Sequence, residues 1–188
     1  MKLRRIVAGT DHDGTSRVFA DGDPPRSVTF DAAPGFHVSL LWSAPALPAV
    51  GRGEPADTTR TDGVLPAHGQ SRLLVVTLPP DSTLTRADFD AAAYGQELAA
   101  KLPGFAETFE PDCPGMHTTD SVDYDVLLEG EIVLELDGGQ QIPLKQHEIV
   151  VMHGGRHAWR NPGQRPAVLL FVLQGARRGD PPAAERAP

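Results

Sequence analysis

GMHTTDSVDYDVLLEGEIVLEL, residues 115–136, reads as two β-strands with a corner between them. Val122, Tyr124 and Val126 alternate with Asp123, Asp125 and Leu127, so a strand here turns Asp123, Asp125 and Leu127 to one face. Glu129-Gly130 interrupts the run, EIVLEL resumes it, and Asp137-Gly138-Gly139 is a strong hairpin signal. QIPL, EIVVM, HAWRN and AVLLFVLQ follow, with a corner at His153-Gly154-Gly155-Arg156. The spacing of roughly 8–12 residues is the rhythm of a sandwich or closed barrel, and it predicts a meander of antiparallel strands.

Upstream, RRIV, SRVF, SVTF and FHVSLLW read as further short strands, separated by turn clusters such as Asp21-Gly22-Asp23-Pro24-Pro25. Residues 44–70 are rich in Pro, Gly and small polar groups and read as a surface loop, with a lid as the functional alternative. SRLLVVTL, residues 71–78, is another strand, stopped by Pro79-Pro80, which cannot continue a ladder. The period then changes. Thr85 followed by Asp88 resembles a capping box, and Phe89, Ala92, Ala93, Leu98 and Leu102 recur at helical spacing until Pro103-Gly104. One helix is therefore expected. The tail over 176–188 carries no large apolar residue and is expected to be disordered, which leaves one domain over 1–175.

Composition agrees with an all-β class. The 19 Gly and 18 Pro are roughly a fifth of the 188 residues, against ~12% on average, and favour turns over long helices. With 17 Lys and Arg against 25 Asp and Glu the net charge is −8, the opposite of a nucleic-acid footprint. No apolar run approaches the roughly 20 residues of a spanning helix, so no membrane partner is expected. Cys113, the one cysteine, cannot form an intramolecular disulfide, and the N-terminus lacks a secretory pattern, which points to the cytoplasm.

Three residues carry the candidate chemistry. His117, Asp123 and His157 supply imidazole and carboxylate, the usual ligands of Zn and non-haem Fe, and two His plus one carboxylate leave coordination positions open for substrate. Asp125 shares the face of Asp123, and two carboxylates in one space push one pKa upward, as acid and base roles require. Tyr124 and Trp159 are expected on the opposite face, as packing residues.

The sequence at this point resembles the cupin superfamily. Its first motif, G-x5-H-x-H-x3-4-E-x6-G, is matched by His117-Thr118-Thr119, Asp123 and Gly130, with the Glu-Gly-Glu turn at 129–131. Its second, G-x5-P-x-G-x2-H-x3-N, is matched by Gly154, His157 and Asn161. The motif-bearing core spans about 115–175. The sequence departs from the motifs at Thr119, where the second His would stand, at Asp123, which replaces Glu, at His147, near the usual Gly, and at Met152, in the Pro position.

The resemblance implies a jelly-roll antiparallel β-barrel with an N-terminal strand extension and one helix. It implies an enzyme acting on a polar organic metabolite in the barrel pocket, by lyase, dehydratase, isomerase or cyclase chemistry. Asp123, His157 and Asp125 would be the catalytic groups. His117, Asp123 and His157 would be ligands for a divalent metal (Zn, Fe, Mn or Ni), and a metal-free acid-base site is the rival. Thr119, His153 and Arg156 would line the pocket, the last two meeting an anionic substrate at the rim. An Fe(II)-dependent dioxygenase and a non-enzymatic metabolite binder are the alternatives. A homodimer is expected, formed through the edges offered by SVTF and FHVSLLW.

Overall fold

The computed structural model describes residues 2–179. Eleven strands are found among them: β1 (Arg5–Thr10), β2 (Ser16–Gly22), β3 (Arg26–Thr29), β4 (His37–Ala44), β5 (Ser71–Leu78), β6 (Ser121–Glu129), β7 (Glu131–Leu136), β8 (Gln141–Lys145), β9 (Ile149–His153), β10 (His157–Arg160) and β11 (Ala167–Gly175). Strands β1 and β2 form a separate hairpin. The others make a six-stranded sheet, in the order β3-β4-β5-β11-β6-β9, and a three-stranded sheet, β10-β7-β8, with every pairing antiparallel.

The C-terminal strands do not meander. β6 and β7 are joined only by Gly130, yet they lie in different sheets; β7 and β8 form the expected hairpin, and the chain then changes sheet at each of β9, β10 and β11. Gly130 makes this corner possible. Its φ is 86°, and a Cβ there would stand 2.9 Å from the Pro166 carbonyl oxygen, so an L side chain is excluded by conformation and by space. The expected β4 edge is also corrected. β4 lies between β3 and β5, so the edges of the large sheet are β3 and β9. The outer face at the β9 edge exposes Tyr124, Ile149 and Val151.

Two apolar clusters fill the interior. One gathers Phe30, Phe36, Leu40, Leu74, Leu98 and Leu102, and the other Leu127, Ile132, Leu134, Leu144, Met152 and Leu169. Phe171 packs against both. The helix closes one end of the first cluster through Leu98 and Leu102. It starts later than its capping signal suggested. A four-residue turn, α1 (Ser82–Thr85), precedes α2 (Ala91–Lys101), whose N-cap is Asp90, its carboxylate accepting from the Ala93 N–H at 2.9 Å. Asp88 instead pairs with Arg86. Glu97 anchors α2 by accepting from the N–H groups of Asp31 and Ala32, both at 2.9 Å.

The loop over 44–70 has two halves. Its first part is exposed, but Thr59 and Val64 are buried and Leu65 packs on the first cluster. The buried Arg72 guanidinium holds this second part by donating to the Gly63 carbonyl at 2.8 Å. The chain also remains tied beyond Gly175. The Ala176 N–H donates to the Asp120 carbonyl, and Arg178 pairs with Asp120 and donates to the carbonyls of Thr119 and Gly154. Residues 180–188, the rest of the expected tail, lie outside the described residues.

Candidate active site

A layer of buried polar residues, Thr119, Ser121, Asp123 and Asp125 with His117 and His157, lies along β6 and the start of β10. On β6 the alternation holds: Ser121, Asp123, Asp125 and Leu127 are buried, and Tyr124 is exposed on the other face. Cross-strand neighbours share a face, so Met152 and Leu173 flank Asp123, and Phe171 flanks Asp125. His157 begins β10. A two-hydrogen-bond bridge ties its backbone to His117, with each N–H donating to the other's carbonyl, at 2.9 and 3.0 Å. Segments forty residues apart in sequence thus meet at their histidines.

The two imidazoles are adjacent, with ring centroids 4.3 Å apart. Each is oriented by the carbonyl two residues upstream: His117 Nδ1 lies 3.1 Å from the Gly115 oxygen and His157 Nδ1 lies 2.9 Å from the Gly155 oxygen. A backbone carbonyl can only accept, so Nδ1 carries the proton and Nε2 keeps a lone pair for a ligand. Aromatic rings continue the row. Phe109 lies 4.8 Å from His117, with Phe105 beside it, while Trp159 lies 6.2 Å from His157 and 5.9 Å from Phe171.

Burial sets the charge states. His117 is 8% exposed and its pKa is pushed down to about 4, first by desolvation and then by the neighbouring imidazole. Desolvation also lowers His157, partly offset by its Gly155 hydrogen bond and by the Asp123 charge. Asp125, 2% exposed, is raised to about 8 by desolvation and by Asp123. Asp123 is itself raised, first by burial. Thr119 Oγ1 donates to Asp123 Oδ2 at 3.4 Å and accepts from Ser121 Oγ at 2.9 Å. Asp123 Oδ1 and both carboxyl oxygens of Asp125 are buried without a hydrogen-bond partner among the described residues.

A pocket of about 390 Å³ opens beside this layer, lined by Leu65, Pro66, Glu107, Thr108 and residues 118–121. Thr119 and Ser121 belong both to its wall and to the surroundings of Asp123. Leu65 and Pro66 give the 44–70 loop a place at the pocket.

Three sequence expectations are corrected here. His153 is exposed, because β9 turns Met152 inward and His153 outward. Arg156 is clamped by Glu110 through two bonds of 2.6 Å and by Asp137 at 2.8 Å, so its guanidinium is already engaged away from the histidines. Trp159 shares the face of His157, since residues two apart in a strand point the same way. That spacing was a readable signal. Phe105 and Phe109, which reach His117 from the segment after α2, had none.

Two of the three expected metal donors, the imidazoles of His117 and His157, stand together. The chemistry of the two Nε2 atoms suits a divalent ion, and their Nδ1 anchors resemble the outer support of metal-bound imidazoles. A third ligand is not in place. Among the described residues no three His, Cys, Asp or Glu side chains are grouped to hold an ion, so the set of His117, Asp123 and His157 is not assembled. The donors therefore do not fit the implied three-ligand metal.

Comparison with known proteins follows this geometry. One stretch of 61 residues is 34% identical to a cupin-domain-containing oxidoreductase, virC, of Hypocrea virens, covering 31% of each chain. That stretch is thus similar to a cupin-domain protein, and the surrounding fold is all-β with antiparallel sheets. A stretch of 71 residues is 40% identical to oryzines biosynthesis cluster protein J of Aspergillus oryzae, covering 37% of this chain and 40% of that one. The matched stretches thus span well under half the length of these relatives. Among solved structures, the cupin domain of Schizosaccharomyces pombe Cnp3 aligns over 93% of the chain and 89% of that domain, with 11% identity and a TM-score of 0.43. No protein-family model matches the chain. No helix among the described residues is long and apolar enough to cross a membrane.

Proposed function

We propose that this cupin is an enzyme that moves a proton on a small organic molecule, a non-redox step of the lyase, dehydratase, isomerase or cyclase kind. The observation that carries the reading is the pair of adjacent buried imidazoles with free Nε2 atoms, accompanied in the interior by the buried, unpartnered carboxyl of Asp125 on β6. Burial keeps the imidazoles uncharged and Asp125 protonated at neutral pH, which makes a base and an acid available to the reaction. His157 Nε2 takes a proton from the carbon beside a carbonyl. The C–H electron pair forms the new C=C bond, and the carbonyl oxygen receives the Asp125 proton, leaving an enol, an imidazolium and a carboxylate. Asp123, whose charge favours protonated His157, stabilises that imidazolium. The identity shared with a biosynthesis-cluster protein supports small-molecule conversion.

The test is exchange of α-protons from a panel of enolisable carbonyl compounds in D₂O, followed by NMR, with metal content measured by mass spectrometry. Exchange should survive EDTA in metal-free protein and fall at least ~100-fold in His157→Ala, the scale of one general base. Full exchange in that variant, or its loss with EDTA, would overturn the reading. An oxidative reaction is the second reading, favoured by the relative described as an oxidoreductase, and the same metal measurement decides it.

A further inference from the structure

The polar side chains that line the pocket beside the buried layer present acceptors to it and almost no donors. Four of them are hydroxyls, and three already have their proton committed: Thr108 Oγ1 donates to the Phe105 carbonyl at 2.7 Å, Ser121 Oγ to Thr119 Oγ1 at 2.9 Å, and Thr119 Oγ1 to Asp123 Oδ2 at 3.4 Å. A hydroxyl has one proton, so these three offer a ligand only lone pairs. The other two polar side chains are carboxylates, which only accept. Asp120 is paired with Arg178 at 2.6 Å. Glu107, exposed on the helical turn Ala106–Thr108, has no ion-pair partner among the described residues. No Lys, Arg or His lines the pocket. Arg178, which reaches the rim through Asp120, donates with its remaining nitrogens to the carbonyls of Gly154 and Thr119. Leu65 and Pro66 form the apolar part of the wall.

We infer that this pocket binds a small organic cation bearing a primary ammonium group. An ammonium carries three N–H donors and no acceptor, which complements a wall of lone pairs, and its charge supplies the counter-ion that Glu107 lacks. A carboxylate or phosphate has the opposite requirements. It would stand among two carboxylates, with no cation in the lining to balance its charge. The cavity of about 390 Å³ has room for the head group and for an apolar body lying against Leu65 and Pro66. Glu107 is the specificity-determining residue. Where it names the substrate, the inference rests on the reading of the neighbouring histidines and Asp125 as an acid-base site, and the carbonyl compound that reacts there then carries the ammonium group.

NMR titration of the full chain at pH 7 with four compounds built on one phenyl ring tests this. Benzylamine brings charge and N–H donors, benzyltrimethylammonium charge alone, benzyl alcohol one donor without charge, and benzoate the opposite charge. Benzylamine should bind at least fivefold more tightly than benzyl alcohol or benzyltrimethylammonium and at least tenfold more tightly than benzoate, with amide shifts at Leu65, Thr108 and Thr118. In Glu107→Gln, which keeps the side-chain shape at an exposed position, the preference over benzyl alcohol should fall below twofold. Benzyl alcohol or benzoate binding as tightly as benzylamine, shifts confined to residues away from the pocket, or a preference that survives in Glu107→Gln would each overturn the proposal. Equal binding of benzylamine and benzyltrimethylammonium would overturn it as well, because charge without donors would then suffice. Binding needs no turnover, so its outcome is separable from that of proton exchange. Selective binding without exchange leaves the ligand class standing and removes the catalytic reading, and exchange without this selectivity does the reverse.

Discussion

His117 and His157 stand side by side, ring centroids 4.3 Å apart, because their backbones exchange two hydrogen bonds across the open edge of the three-stranded sheet. Each ring has one nitrogen committed to its own strand and the other free. The arrangement extends the sheet order outward from β10 to the segment bearing His117, and a further bridge from His117 to Phe109 lays the aromatic wall over the pair.

This adjacency has a titration signature. His117 should stay uncharged until about pH 4, read from its ring proton shifts by NMR. Its folded pKa lies below the unfolded value of 6.5, so the unfolded chain binds more protons between those limits and stability falls as pH drops from 6.5 toward 4. His157→Ala removes the neighbouring imidazole, one of the groups that depress it, and should move the His117 midpoint upward.

Asp125 acts in the opposite sense. Its folded pKa of about 8 lies above the unfolded value of 3.8, so the folded chain holds the extra proton and stability declines as pH rises between them. Asp125→Asn should match the parent near pH 4 and exceed it by about a few kcal/mol at pH 8, by the conversion of pKa shift to free energy. Denaturant unfolding at the two pH values measures this. Equal stability of parent and variant at pH 8 would contradict it.

Thr119 lies two residues from His117, buried beside Asp123. Thr119→His places a third imidazole beside the pair and should tighten Ni²⁺ binding at least tenfold over the parent, whose two imidazoles have no third ligand grouped with them. Titration calorimetry with Ni²⁺ provides the comparison. Parent protein that already binds the ion as tightly as the variant would return His117, Asp123 and His157 to the role of a metal set.

His147 is the one non-glycine residue with positive φ, 71°, among the described residues, and it stands near the position where the cupin motif has Gly. A side chain in this left-handed conformation costs roughly 1–2 kcal/mol. His147→Gly should therefore stabilise the protein by about 1 kcal/mol after the added entropy of the unfolded chain, seen as a higher urea midpoint with unchanged slope.

The sequence by itself determined the strands and the inward face of β6, because a period of two is local. Val122, Tyr124 and Val126 alternate with Asp123, Asp125 and Leu127 whatever else the chain does. It also marked His117 and His157, through their place in two motifs. Helix α2 was legible in its apolar spacing but not in its start, since the capping signal read at Thr85 falls in the separate turn α1 and Asp90 caps the helix instead. Only the tertiary structure decided that β6 and β7 part at Gly130 into different sheets, that Arg156 is held by Glu110 forty-six residues away, and that Phe105 and Phe109 cover His117. Each of these depends on pairings distant in sequence, and no local pattern of apolar and polar residues encodes which distant strand or charge will be the partner. The same holds for the unpartnered state of Asp125. Its burial follows from alternation, but the lack of a cation beside it among the described residues follows from where Arg72, Arg156 and Arg160 are turned in the folded chain.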